Sequence, residues 1–330
     1  MMIVKGVYGD FKKITGRIRV EEVYGPVDLD RKRIVEEAGL KYVPLIWVPR
    51  AGGAEEGIVD AWGSKMLFAF NNSGCISNPR IRESAKNTLE DVAVKCDVDS
   101  IILDALRFPS PFDGRGMLSC FCKYCRRRIV ESGINPENLR SNLLRLLEKI
   151  HLYPHLSSDL IEAFIQWVNI RQLIVKELLE ELKEKAEEYD ITVRIAVFPP
   201  SIAWLVGQNY AYIKDLVGEV QVMLYHKCGG PACLNTELTS LVELLLKSTG
   251  EAREKEVLRA ASMLTGLCLK SWKEFKERGV DWDILVEETR RAESLLDSKF
   301  TAVYWLDKLV EERLKTMRLN KVILFVAKNC

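Results

Sequence analysis

Histidine is scarce in this 330-residue chain, with three copies, and neither a Ser-His-Asp order nor a His-Glu-x-x-His stretch occurs. The commonest signatures of a hydrolytic triad and of a metal-binding protease helix are therefore missing. Long hydrophobic runs are missing too. The apolar stretch 100–106 is broken by Asp104, and no uncharged segment approaches the roughly 20 residues that a membrane helix needs. The opening Met-Met-Ile-Val-Lys-Gly-Val-Tyr-Gly-Asp has no charged region followed by an apolar core, so a cytoplasmic chain with no membrane span is expected. An excess of either charge is absent as well: 48 Lys and Arg stand against 47 Asp and Glu, which predicts no general attraction to polyanions. The run Arg126-Arg127-Arg128 lacks interleaved aromatics, so no nucleic-acid partner is expected. No Gly-x-Gly-x-x-Gly follows the first strand and no P-loop Gly-Lys-Ser/Thr occurs, so no nucleotide fingerprint is visible.

What is present is an ordinary globular mixture, 48% hydrophobic and 29% charged, able to bury a core. Short β-branched or aromatic runs alternate with long amphipathic stretches, the pattern of parallel strands joined by crossover helices. The strands expected are 3–8, 42–48, 65–70, 100–106, 192–198, 219–225, 257–263 and 301–305. Helices are expected at 78–95, where Pro79 suits a first turn, and at 158–188, where apolar residues recur at i+3 and i+4. Eight strands predict an α/β fold of the (β/α)8 TIM-barrel class, with a doubly wound open sheet as the alternative. A typical barrel uses about 250 residues. The surplus falls between the fourth and fifth expected strands, so residues 1–330 read as one domain with a helical, cysteine-containing insertion at 108–190.

Nine cysteines are too few for a secreted disulfide scaffold, and their number is odd. Their spacing carries more information. Cys120, Cys122 and Cys125 sit together, and their thiols can converge if the first two occupy a turn before a helix. A helix N-terminus and the arginines that follow favour thiolates. A structural zinc site takes four ligands in a tetrahedron, so the triplet needs one more. Cys75, after the third expected strand, is the first candidate, and Cys228, Cys233 and His226 compete with it. Buried unliganded thiols and an iron-sulfur cluster are the other readings.

Chemistry in a barrel sits at the C-terminal ends of the strands. The polar residues there are Asp10, Arg50, Asn71, Asn72, Asp104, Arg107, Tyr225, His226 and Asp307. Asp104 ends the apolar run Ile101-Ile102-Leu103, where a carboxylate needs a partner or a function, and Arg107 is the candidate partner. Trp47, Phe70, Phe108, Phe198, Tyr225 and Trp305 occupy late strand positions, from which they can supply stacking platforms for sugars or fill the core. His151 and His155 read as surface residues between helices.

The triplet Cys120, Cys122, Cys125 with upstream Cys75 resembles the zinc cluster of the glycoside hydrolase family 42 β-galactosidases, over about residues 65–128. The resemblance implies zinc at those four positions. That family ends strand four with an Asn-Glu pair whose Glu is the general acid. This chain has Ala105 and Leu106 after Asp104, and the expected seventh strand offers no terminal Glu as nucleophile. A looser resemblance, spanning most of the barrel, is to uncharacterised glycosidase-like barrels with Asp-Tyr-Ile-Arg-Phe-Pro on strand four and Pro-Met-x-Tyr further on. The matching residues here are Asp104-Ala105-Leu106-Arg107-Phe108-Pro109 and Val222-Met223-Leu224-Tyr225. It implies site roles for Asp104, Arg107 and Tyr225, with the strand-four Asp a nucleophile in amylase-like relatives.

The expectation is thus a glycoside hydrolase with a structural zinc, in which Asp104 works with a second carboxylate, Asp307 or Asp10. Arg107, Tyr225, His226, Trp305 and Asn71 would bind the carbohydrate. The competing expectation is a sugar-binding or scaffold barrel that keeps the zinc site and has no activity.

Overall fold

A computed structural model describes residues 2–14, 18–250, 254–314 and 321–327. Cys330, one of the scattered cysteines, lies outside them. Among the described residues, eight parallel strands close into a barrel. They are β1 (Met2–Gly9), β2 (Ile18–Pro26), β3 (Lys41–Trp47), β4 (Ser100–Asp104), β5 (Thr192–Val197), β6 (Glu219–Leu224), β7 (Phe300–Trp305) and β8 (Val322–Val326). Strand β8 closes the circle on β1, with Gly6 opposite Ile323 and Gly9 opposite Val326. The fold is a (β/α)8 barrel, as expected. Parallel strands lie between the barrel lumen and the outer helices, so they are apolar on both faces, and Ile101, Ile102 and Leu103 of β4 are wholly buried.

Six of the expected strands are barrel strands, and two are not. The expected strand 65–70 is reduced to Lys65–Met66, which pairs antiparallel with Ile58–Val59 in a small ribbon outside the barrel. The chain cannot stay extended beyond it, because Ala69, Phe70 and Asn71 take left-handed backbone angles. The expected strand 257–263 is part of the helix Glu254–Thr265, whose buried residues Val257, Ala260, Ala261 and Thr265 follow a helical period. The two places in the barrel are filled by β2 and β8. In β2 Arg19 and Glu21 interrupt the apolar pattern, but Ile18, Val20 and Val23 are buried. The strand expected as the eighth, 301–305, is consequently the seventh.

Helix signals were easier to place. Asn78 caps the helix Pro79–Cys96, accepting from the Arg80 N–H at 3.1 Å, with Pro79 in its first turn. The helix Ser158–Glu187 buries Leu160, Ala163, Trp167, Ile174, Leu178 and Leu182 along one stripe. Between β4 and β5 the chain also forms the helices Lys123–Glu131 and Pro136–Lys149. Among the described residues, no helix is long and apolar enough to cross a membrane.

The lumen is charged near the N-terminal ends of the strands. Arg194 of β5 reaches Glu22 of β2 through both terminal nitrogens, at 2.6 and 3.0 Å, and lies 3.3 Å from Glu219 of β6. Strands β2 and β5 are not neighbours in the sheet, so this pair crosses the interior. Lys5 of β1 pairs with Glu219, and the Tyr24 hydroxyl donates to Glu22 at 2.6 Å. Gly6 lets the Tyr24 ring in, since a Cβ there would collide with it. Further along, the Tyr8 hydroxyl donates to the Gln221 side chain.

Candidate functional site

At the C-terminal ends of the strands the barrel opens into a cavity of about 450 Å³. The strands and their loops supply its walls as the fold demands. Trp47 ends β3, Phe198 follows β5, and Phe70 comes from the β3–β4 connection, where it packs 6.3 Å from the Phe112 ring. Facing them, Trp305 of β7 stacks on Phe325 of β8 at 4.7 Å, and Tyr225 meets both edge-on at 5.8 and 5.6 Å. A third wall is the loop after β6, where Gly229, Gly230, Pro231 and Ala232 lie between Cys228 and Cys233. Those two cysteines form a disulfide.

Among the described residues lining this cavity, Asp104 is the one carboxylate. It is the last residue of β4, and Ala105 after it takes a left-handed φ of 58°, which turns the chain so that its N–H donates to Asp104 Oδ1 at 2.7 Å. Burial pushes the Asp104 carboxyl above its ordinary range, and the Ala105 N–H and the Arg107 charge only partly offset this. The Tyr225 hydroxyl is pushed up in turn by burial and by the Asp104 charge, and Tyr8 is pushed up by burial, Tyr225 and Asp104. Asp104, Tyr225 and Tyr8 therefore share one electrostatic neighbourhood.

Arg107 lines the cavity but pairs elsewhere. Its guanidinium lies 3.6 Å from the Asp113 carboxylate, donates to the Phe108 carbonyl at 2.9 Å, and sits 4.7 Å over the Phe198 ring. Asp113 accepts from the N–H groups of Ala69 and Ser110, each at 2.9 Å, so it ties the turn that carries Phe70 to the loop after β4. A second acid, Glu237, ties that loop to the disulfide loop. It accepts from the Ser110 hydroxyl at 2.8 Å and from the N–H groups of Phe112 and Ala232 at 2.9 Å. Its carboxyl is wholly buried and pushed up to about 7 by that burial, against the Arg107 charge and these donors.

The structure brings Asp104, Arg107, Tyr225 and Trp305 together in the cavity, with Trp47, Phe70 and Phe198. His226 and Asp307 instead meet each other outside its lining, Nε2 to Oδ2 at 2.9 Å. Asp307 also accepts from the Val310 N–H at 2.9 Å, and these partners outweigh burial and hold its carboxyl low. Asp10 accepts from the Lys12 N–H and caps the turn Phe11–Lys13. Asn71 is exposed beside Phe70, and Phe108 is buried under Arg171. Sequence reasoning passed over Phe325, which went unseen with its strand, and Glu237. A signal for Glu237 existed, because it stands in the stripe Leu234, Leu238 and Leu241 of the helix Leu234–Ser248 where an apolar residue belongs.

Cys75, Cys120, Cys122 and Cys125 are buried with their sulfurs all within 4.8 Å of one another. Cys75 lies 3.4 Å from Cys125 and 3.6 Å from Cys122. Tetrahedral coordination at metal–sulfur bonds near 2.3 Å places sulfurs roughly 3.8 Å apart, so the four fit one metal ion. Two N–H groups, of Val59 and Cys122, point at Cys120 Sγ from 3.4 Å, a contact that suits a thiolate. The buried Arg171 guanidinium, pushed down to about 9 by that burial, donates to the Pro109 and Met117 carbonyls at 2.8 Å. The competing ligands fall away, since Cys228 is joined to Cys233 and His226 to Asp307. Arg126, Arg127 and Arg128 pair with Glu137 and Glu131 on the surface.

No protein-family model matches the chain, and no curated relative matches it. Solved structures similar to it include the PgaB (BpsB) glycoside hydrolase domain from Bordetella bronchiseptica, at 13% identity and a TM-score of 0.48 over 95% of this chain and 96% of that one. A β-galactosidase from Bacillus circulans sp. alkalophilus is similar at 11% identity and a TM-score of 0.45 over 74% of this chain, which spans 42% of that enzyme. A β-galactosidase from the psychrophilic Marinomonas ef1 is similar at 10% identity and a TM-score of 0.44, over 98% of this chain and 75% of that one.

Proposed function

We propose that the cavity binds a carbohydrate and that Asp104 acts on the glycosidic bond as its proton donor. The observation that carries this reading is the placement of a single half-buried acid, raised by its surroundings, within a cavity walled by aromatic rings. Sugar rings present apolar faces that stack on indole and phenyl groups, while a raised carboxyl keeps its proton closer to neutral pH, as a general acid requires. Protonation of the departing oxygen needs a complementary group on the other side of the sugar. Asp307 and Asp10, the partners that the sequence offers, do not line the cavity, and this favours a second reading, a barrel that binds sugar without cleaving it.

One experiment separates the two. Release of 4-methylumbelliferone from a panel of glycosides would be followed for wild type and Asp104→Asn, with binding read from the fluorescence of Trp47 and Trp305. Turnover that falls about 100-fold or more in Asp104→Asn, with binding kept, supports the glycosidase. Binding without turnover in wild type supports the second reading, and no binding ends both.

For the cysteine cluster the proposed occupant is zinc, held by Cys75, Cys120, Cys122 and Cys125. Bound there, it supplies a cross-link between the β3–β4 and β4–β5 connections, and it stands apart from the cavity chemistry. Elemental analysis is expected to find about one zinc per chain, lost with thermal stability in Cys122→Ser. A metal-free wild-type protein of unchanged stability would end this assignment.

A further inference from the structure

Phe70 is exposed to 64%, more than any other aromatic side chain among the described residues. It sits in the middle of three consecutive non-glycine residues with left-handed backbone, Ala69 at φ 43°, Phe70 at 64° and Asn71 at 58°. Such backbone is unfavourable for residues with a Cβ and persists only where the surroundings over-determine it. The surroundings do so here. Phe68 and Ser73 exchange both backbone hydrogen bonds at 3.0 and 3.1 Å, the Ala69 N–H is held by Asp113 at 2.9 Å, and Ser73 accepts from the Trp47 indole at 2.9 Å. The strained turn is therefore rigid and keyed to a cavity aromatic. It gains little burial for its Phe, yet that ring lines the cavity. Across from it stands Gly230, where an added Cβ would come within 3.0 Å of Phe70 Cζ, so the opposing wall leaves the ring its place.

We infer that Phe70 is a stacking platform at the rim of the cavity, a subsite for the apolar face of a second pyranose ring joined to the sugar held over Asp104. The inference rests on the carbohydrate reading above and extends it from one sugar to at least two. Asp113, paired with Arg107, holds the Ala69 N–H and so fixes the turn that carries the ring.

The test is calorimetric titration of glucose, galactose and N-acetylglucosamine, their β-1,4-linked disaccharides, and their p-nitrophenyl glycosides. Each is titrated into wild type, Phe70→Ala and Phe70→Trp. For whichever sugar binds, the disaccharide is expected to bind wild type about 10-fold more tightly than the monosaccharide, the worth of one stacked ring. Phe70→Ala should remove that gain, weakening the disaccharide far more than the monosaccharide, and Phe70→Trp should restore it. Phe70→Gly should keep or raise the melting temperature, because glycine accepts the left-handed backbone. A disaccharide gain untouched by Phe70→Ala overturns the platform, as does equal weakening of both ligands or a gain confined to the p-nitrophenyl glycosides. Each of these leaves the carbohydrate reading standing. Failure of every probe to bind wild type overturns that reading and the platform together.

Discussion

The two ends of one lumen treat charge in opposite ways. Near the N-terminal ends of the strands, Lys5, Glu22, Arg194 and Glu219 compensate one another across the barrel. Burial alone would push the Glu22 carboxyl up, but the Arg194 and Tyr24 hydrogen bonds more than offset it and hold the group low. At the other end burial keeps Asp104 and Glu237 raised, since among the described residues no cation is bonded to either carboxylate and their donors are N–H and hydroxyl groups. The lesson is that burial of an acid is not by itself a sign of function. Glu22, bonded to a guanidinium, ties one side of the barrel to the other, whereas Asp104, raised at the cavity, suits the proton donor proposed above.

The strongest way to break this comparison is Arg194→Ala, which leaves Glu22 in the lumen without its guanidinium and Glu219 with Lys5 alone. Removing one partner of a buried pair costs about 3–5 kcal/mol, so urea denaturation should show a loss of that order. A loss below about 1 kcal/mol would mean that water reaches this end of the barrel. Next comes pH. A carboxyl raised in the folded chain binds a proton that the unfolded chain has released, so stability falls as pH rises between the two values. For Glu237, raised to about 7 from an ordinary value near 4.3, the fall is about 4 kcal/mol across that window. Glu22 contributes the opposite sign: its stabilisation is present above the unfolded value and is lost as pH drops through the lowered one. Glu237→Gln should flatten the fall between pH 4.3 and 7 in thermal melts, at the cost of a lower plateau, since its amide would meet the Phe112 N–H. A slope identical to wild type would show that Glu237 titrates normally.

The smallest effect sharpens the contrast. Asp104→Asn should leave stability at pH 8 unchanged or raise it by about 1 kcal/mol, because the residue loses a raised carboxylate and keeps its shape. Differential scanning calorimetry at pH 8 decides this. A clear drop in melting temperature would place Asp104 with the structural acids at the other end.

Six barrel strands were legible because parallel strands buried on both faces read as uninterrupted apolar runs, as Ile101-Ile102-Leu103 does. Strand β2 escaped because Arg19, Glu21 and Glu22 break its run, and Glu22 is there to meet Arg194 on the far side of the lumen. That pairing is non-local, so nothing near β2 signals it. The helix Glu254–Thr265 reads as a strand in the sequence because Val257, Leu258, Ala260 and Ala261 form a short apolar run whose period is ambiguous. At the site, Asp104, Arg107, Tyr225 and Trp305 were legible from their places at or just beyond strand ends. The meeting of His226 with Asp307, and of Arg107 with Asp113, depends on loop paths that local pattern does not encode.

The Cys228–Cys233 disulfide makes the chain answer differently to two reagents. A thiol reductant acts on the strap that holds the Gly229–Pro231 wall and leaves the four reduced sulfurs as they are, whereas a chelator acts on the metal those sulfurs would share and leaves the strap closed. With zinc bound as proposed, buffer composition becomes a selector, loosening either the mouth of the cavity or the join between its supporting connections, one at a time.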